Sequence, residues 1–272
     1  MKFRAILPIF LLITSLVSAQ QRVGLAYYNV DRLYDTVASP FYDDDDYTPT
    51  GRLQWNEERY RHKVESVAAT IDSMSMPIVV LYGVENEQVV RDIASSCQNE
   101  YTYIHRTSSS LDGIDFALLY YADLLYPKSI TTDFDSLIVT CTILDMSCTL
   151  VMNRSADDAI HIAKYLRKEQ PQSHLLLFGR SSHRSLPKYS LRDAFAEERR
   201  KGRGTRCSSR GWYIPESVWV DERLSTESGI YVRSHLFDDK LARPKPTFSG
   251  STYIGGASSH LPLYLYIWNI DK

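Results

Sequence analysis

Short apolar runs alternate with amphipathic ones along the chain, and this alternation constrains the fold more than any other feature. Glu57–Met74 carries apolar residues near helical spacing (Tyr60, Val64, Val67, Ala68, Ile71) and stops before Pro77, which predicts a helix. Runs at 23–30, 78–82, 114–121, 137–145, 149–152 and 175–178 read as strands. Two more helices are predicted at 87–95 and 157–168, the second stopped before Pro171, and strand-like stretches return at 217–220, 229–232 and 263–268. Strands mixed with helices at both ends of the chain predict an α/β architecture, two sheets packed face to face with helices outside. No repeat or linker interrupts the pattern, so residues 21–272 read as one domain.

Composition agrees with a globular chain. Hydrophobic residues make up 44% and charged residues 24%, and the 19 tyrosines suit a strand-rich fold. A net charge of −2 excludes a global attraction to nucleic acid or an anionic membrane, so any polyanion site has to be a local patch. Lys2 and Arg4 precede an apolar run at 5–17, and Ser18 and Ala19 follow. A positive start, a short apolar core and small residues predict a signal peptide over residues 1–19, and hence a periplasmic or extracellular protein. The run is shorter than the ~20 residues a membrane span needs. No later segment is apolar enough to span, and no cysteine near the cleavage point offers a lipid anchor.

Four cysteines remain, Cys97, Cys141, Cys148 and Cys207. Export permits disulfides, and Cys141 and Cys148 are expected to face each other across a hairpin; free thiols are the equal alternative, and the spacings match no zinc site. The four aspartates at 43–46 offer oxygen ligands for a hard cation but lack the glycine and spacing of a calcium loop, so a solvated loop is the favoured reading. The basic run at 199–206 reads first as a charged surface turn and second as a phosphate contact.

Seven local patterns, in order, resemble bacterial exported members of the endonuclease/exonuclease/phosphatase family. They are Tyr28-Asn29-Val30; Asp46-Tyr47-Thr48-Pro49 with Gly51, Trp55, Arg59, Tyr60 and Lys63; Val84-Glu85-Asn86; Gly113 to Tyr120; Gly204-Thr205 with Trp212; Pro246 to Gly256; and Ser259-His260-Leu261-Pro262. The resemblance implies a four-layer α-β-β-α sandwich with the site at one edge, where strand-end loops meet. It also implies phosphoester hydrolysis with a divalent metal held by a glutamate, an activated water and histidines paired with carboxylates.

Carried over residue by residue, that machinery is depleted. The resemblance places remnants at Asn29, Asp115, Glu216 and His260. The metal glutamate falls at Gly83. Ser110 stands for an aspartate, and Asp112 for an arginine, turning a phosphate-attracting charge into a repelling one. Asn153 stands for a histidine, Arg180 and Ser182 for an aspartate and an asparagine, and Ser259 for the aspartate beside His260. Removing one positioned electrostatic group commonly costs ~10²–10³ in rate. The leading expectation is therefore a catalytically inactive binding or interaction module with no metal or other cofactor. Its partner is an unidentified protein or a phosphate-bearing ligand rather than nucleic acid, with Arg180, His183 and His260 as the ligand-binding candidates. A serine nucleophile at Ser181 or Ser182 with His183 or His260 is disfavoured, because neighbours on an extended loop point apart. The enzyme alternative is a magnesium-type phosphoesterase or nuclease that uses Glu216 and His260 with carboxylates such as Glu85 or Asp115.

Overall fold

The computed structural model describes residues 21–133, 135–179, 185–238 and 242–269. In chain order the strands are β1 (Val23–Leu33), β2 (Ile78–Val84), β3 (Thr102–His105), β4 (Asp115–Tyr120), β5 (Leu125–Asp133), β6 (Ser136–Ile143), β7 (Met146–Asn153), β8 (His174–Gly179), β9 (Leu191–Asp193), β10 (Arg206–Ser208), β11 (Gly211–Tyr213), β12 (Ser217–Asp221), β13 (Leu224–Ile230), β14 (Phe248–Ser249), β15 (Thr252–Tyr253) and β16 (Leu263–Asn269). The helices are α1 (Glu57–Met74), α2 (Glu87–Ser96), α3 (Ala156–Glu169) and the short α4 (Ala196–Arg200).

Nine of these strands come from the apolar runs, and they assemble with β3, β5 and β9 into two six-stranded sheets, ordered β13-β16-β1-β2-β4-β3 and β5-β6-β7-β8-β12-β9. Their inner faces meet in a core that includes Leu25, Val80, Leu118, Val139, Leu150, Leu176, Val220 and Leu265. α1 and α2 cover the outer face of the first sheet, and α3 covers that of the second. The expected four-layer α-β-β-α arrangement is what the chain adopts. The predicted strand at 229–232 instead forms β13, which begins at Leu224, and β3 and β5 had no clear apolar signal in the sequence. β5 is an edge strand with most residues exposed, so burial leaves little pattern on it.

The parallel pairs decide where the site lies. β1 with β2, and β7 with β8, are parallel; the other pairings within the two sheets are antiparallel. Parallel neighbours require a crossover, supplied here by α1 and α3. α1 starts where the Asn56 side chain accepts a hydrogen bond from the Arg59 amide and ends at Ser75 in left-handed conformation, just before Pro77. The carboxyl ends of both parallel pairs open at the same edge of the sandwich, lining one cleft.

Cys141 and Cys148 are direct cross-strand partners on β6 and β7, as expected, and all four cysteines are free thiols. Burial pushes the Cys141 thiol up to about 12. No helix among the described residues is long and apolar enough to cross a membrane. Residues 1–19 and the stretch Arg180, Ser181, Ser182 and His183 lie outside the described residues, so the expected signal peptide and those candidate site residues carry no structural description.

Candidate functional site at the edge of the two sheets

A cleft of about 440 Å³ opens where β1, β2, β7, β8 and the segments before β12 and β16 meet. Tyr27, Asn29 and Asp31 alternate along β1 toward it, as a period of two requires. Asn29, Asn153, Glu216 and His260, far apart in the sequence, all line this cleft. Asp115 does not. Its neighbour Phe116 faces the cleft, so Asp115 turns to the opposite face of β4. There it is buried 3.5 Å from His105 Nε2 and accepts a hydrogen bond from the Ser108 amide at 3.1 Å.

His260 has lost its sequence-adjacent aspartate, yet carboxylates flank both of its ring nitrogens. Nδ1 pairs with Glu216, whose other oxygen accepts from the Thr205 hydroxyl at 2.5 Å. Nε2 stands 3.5 Å from Asp31 Oδ1. Asp31 also accepts from the Ser259 amide at 2.6 Å and the Ser259 hydroxyl at 2.9 Å. Ser259 therefore holds a carboxylate supplied by β1 rather than carrying one. Burial pushes the Asp31 carboxyl up, but His260, Lys63 and the Ser259 hydrogen bonds outweigh it and hold it below its ordinary value.

Gly83 explains how Asp31 comes to be there. Both pairings of β2 shift register at this point, and Gly83 has φ +106°. A Cβ there would lie 1.8 Å from the Asp31 carbonyl oxygen. Asp31 itself is left-handed, with φ +59°, and its amide donates to Asn29 Oδ1 at 3.0 Å. The bulge in β1 thus occupies the space a side chain at 83 would need. Gly179 repeats the device on the second sheet, with φ +120° and the Asn153 carbonyl oxygen 1.9 Å from a built Cβ.

The expected repelling charge at Asp112 is corrected by the structure. Arg154, next to Asn153, forms a two-pronged pair with Asp112 at 2.7 and 2.8 Å and also bonds the Ser110 hydroxyl and the Ile114 carbonyl. Ser110 donates to the same Asp112 oxygen at 2.6 Å. Burial pushes the Asp112 carboxyl up, but the bonds from Arg154 and Ser110 hold it well below the usual carboxylate range. The cation has moved from position 112 to position 154, and Asp112 anchors it.

Both oxygens of each carboxylate on the cleft accept hydrogen bonds or ion pairs from the protein: Asp31 from Ser259, Asp112 from Arg154, and Glu216 from His260 and Thr205. A hard cation needs several carboxylate or carbonyl oxygens free to turn toward it. No group of three His, Cys, Asp or Glu residues suited to a metal occurs among the described residues. Among the described residues, the donor set does not fit a divalent metal. Arg32 and Arg206, by contrast, line the cleft and form no ion pair among the described residues. Three other cations of the basic run are neutralised locally: Arg199 pairs with Asp193, Lys201 with Glu197, and Arg203 with Glu198. The aspartate run is likewise structural, since Asp44 is buried and caps the Ser39 amide, while Asp46 pairs with Arg52.

Glu85 does not line the cleft. It is 2% exposed, and it accepts from the Asp35 amide at 2.6 Å and the Tyr42 hydroxyl at 2.8 Å, tying down the loop after β1. Burial raises its carboxyl from 4.5 to about 7 despite those hydrogen bonds. A carboxyl raised by folding stabilises fully below its unfolded value and loses that contribution as pH rises through the folded one. Chemical denaturation from pH 4 to 8 is expected to show wild type losing up to about 3 kcal/mol relative to Glu85→Gln. Parallel profiles for the two proteins would contradict this environment for Glu85.

Sequence reasoning missed Asp31, Arg32 and Arg154, while Arg206 belongs to the basic run whose second reading was a phosphate contact. Asp31 was legible in principle, since it sits two residues after Asn29 on the same face of a strand. The others sit on loop or strand ends, with no periodicity to mark them.

Comparisons with known proteins agree with this geometry. The model described as "Endonuclease/Exonuclease/phosphatase family" matches residues 24–162. A search of curated proteins finds no match. Among solved structures, an endonuclease/exonuclease/phosphatase family protein from Bacteroides thetaiotaomicron is similar with a TM-score of 0.60 at 12% identity, over 93% of this chain and 97% of that one. Humanized D. rerio TDP2 is similar at 0.59 and 8% identity, over 90% of this chain and 98% of that one. A mannosyl-6-phosphatase from Bacteroides thetaiotaomicron is similar at 0.56 and 11% identity, over 90% and 99%. At these identities the structural likeness speaks to the fold. Together with the profile match over half the chain and the cleft at the shared edge of two sheets, it has one consequence: this chain belongs to the endonuclease/exonuclease/phosphatase family.

Proposed function

We propose that this is an exported member of the family that binds a phosphate-bearing ligand in its cleft and has lost metal-dependent phosphoester hydrolysis. One observation carries the reading. Every carboxylate on the cleft already has both oxygens engaged by protein partners, whereas Arg32 and Arg206 form no ion pair among the described residues. Metal-assisted hydrolysis needs carboxylate oxygens to hold the cation and a water made nucleophilic beside it. Recognition of a phosphate needs only guanidinium donors in the cleft, and Arg32 and Arg206 provide them beside His260, whose ring nitrogens already face Glu216 and Asp31. Export rests on the signal-like start of the sequence at 5–17, which points to a periplasmic or extracellular role.

The phosphatase and TDP2 neighbours make phosphoester substrates the first class to test. DNA, a chromogenic phosphodiester and a sugar phosphate are each incubated with magnesium, manganese or calcium. No turnover above buffer is expected, while orthophosphate shifts the His260 imidazole resonances. Metal-dependent turnover that disappears in Glu216→Ala would establish the enzyme reading instead, with the Glu216–His260 pair at its centre.

A further inference from the structure

A second cavity, of about 530 Å³, adjoins the cleft and shares Asp31, Arg32 and Arg206 with it. Beyond this shared strip its lining includes Lys63 from α1 and Arg243 from the segment before β14. Four cationic side chains therefore face one carboxylate, Asp31, in a chain whose net charge is −2. The excess is local and positive, as an anion site requires.

Two of these cations are built into the wall. Lys63 is 1% exposed, and its ammonium donates to the Arg32 carbonyl at 2.8 Å. Burial drives its pKa down to about 8, with Asp31 the opposing influence. An ammonium carries three donors, and that carbonyl satisfies one of them. Arg243 Nε is buried and has no hydrogen-bond partner among the described residues. A buried N–H left unpaired costs about 1–3 kcal/mol, so such groups are normally met by protein, water or an ion. An anionic oxygen in this cavity would meet both needs, and Asp31 is the one carboxylate among the described residues that line it.

We propose that this second cavity is an anion subsite, and that the ligand carries two anionic groups. One sits over the cleft near His260 and the other sits against Lys63 and Arg243, with Arg32 and Arg206 along the strip between them. This deepens the phosphate-ligand reading of the cleft and rests on it for the first group. The second group is a phosphate, sulfate or carboxylate, because those present the planar or tetrahedral oxygens that a guanidinium and an ammonium bind.

The test uses the full mature chain with orthophosphate and inorganic tripolyphosphate as probes. Calorimetry gives affinity, while the His260 imidazole and Arg243 Nε–H resonances report the two subsites separately. Tripolyphosphate is expected to move both signals with one-to-one stoichiometry. Arg243→Gln should weaken tripolyphosphate ~10-fold or more, the loss of a charge-assisted hydrogen bond, while orthophosphate still moves the His260 signal. Arg243→Lys, which keeps the charge, should recover part of the affinity and guards against a folding defect in the first variant. If His260 responds but Arg243 does not, or if Arg243→Gln binds tripolyphosphate like wild type, the second subsite is refuted and the cleft reading stands. If Arg243 responds and His260 does not, the cleft reading falls and the two-group ligand falls with it. Silence at both signals overturns both.

Discussion

Gly83→Glu, which would restore the family's metal glutamate, is expected to lose about 4 kcal/mol of folding stability and to gain no metal-dependent hydrolysis. The cost has two sources. Gly83 has φ +106°, a conformation in which a side chain is strained, typically by ~1–3 kcal/mol. A Cβ would also meet the Asp31 carbonyl at 1.8 Å and force the β1 bulge to move, an overpacking cost of similar size. The clash begins at Cβ, so Gly83→Ala should already carry most of the loss, and urea denaturation of both variants measures it. Moving the bulge would also pull the Asp31 carboxylate from Ser259 and His260, so the site would lose one carboxylate as it gained another. A Gly83→Glu protein with wild-type stability and magnesium-dependent turnover would show that β1 yields easily and that one substitution separates this chain from an enzyme.

Asp221→Asn is expected to cost about 3 kcal/mol, although it lies away from the cleft at the far end of β12. Asp221 is fully buried. Its carboxylate accepts from Arg167 at 2.7 Å, from Arg223 at 2.9 Å through each oxygen, and from the Leu175 amide at 3.3 Å. His174 approaches within 3.9 Å. Burial pushes the carboxyl up, but the Arg223, His174 and Arg167 hydrogen bonds hold it far below its ordinary value of 3.8. Asparagine would remove the negative charge and set an amide donor against donors, and breaking a buried ion pair from one side commonly costs ~3–5 kcal/mol. The lower figure applies because Arg223 is 40% exposed and water can take over part of its solvation. A carboxyl depressed by folding stabilises above its unfolded value and loses that contribution as pH falls through the folded one. The gap between wild type and Asp221→Asn should therefore narrow in acid, below about pH 4. A gap under about 1 kcal/mol at pH 7 would mean that the network is decorative.

Several of these features are legible in the sequence itself. The amphipathic run ending before Pro77 became α1 at its predicted bounds, and the apolar runs around Val80, Leu118, Leu150 and Leu176 became the facing layers of the core. Asn29, Glu216 and His260 were picked from separate motifs and do converge on one cleft. Asp115 was picked on the same grounds and does not, because strand alternation sends it to the other face of β4. The charge at 112 was misjudged for a different reason. A residue aligned in sequence shows which group is present but not which loop will neutralise it, and Arg154 lies more than forty positions away.

Periodicity and residue type determined the main strands and the helices, the family resemblance implied the four layers, and residue identity gave the absence of side-chain chemistry at Gly83, because burial and backbone preference act over a few residues at a time. Only the folded chain decided that Asp31 fills the emptied space, that Arg154 neutralises Asp112 and that Lys63 and Arg243 share a cavity. Those are contacts between strand ends distant in sequence, and their sign and reach depend on distances of a few ångströms that local pattern does not encode.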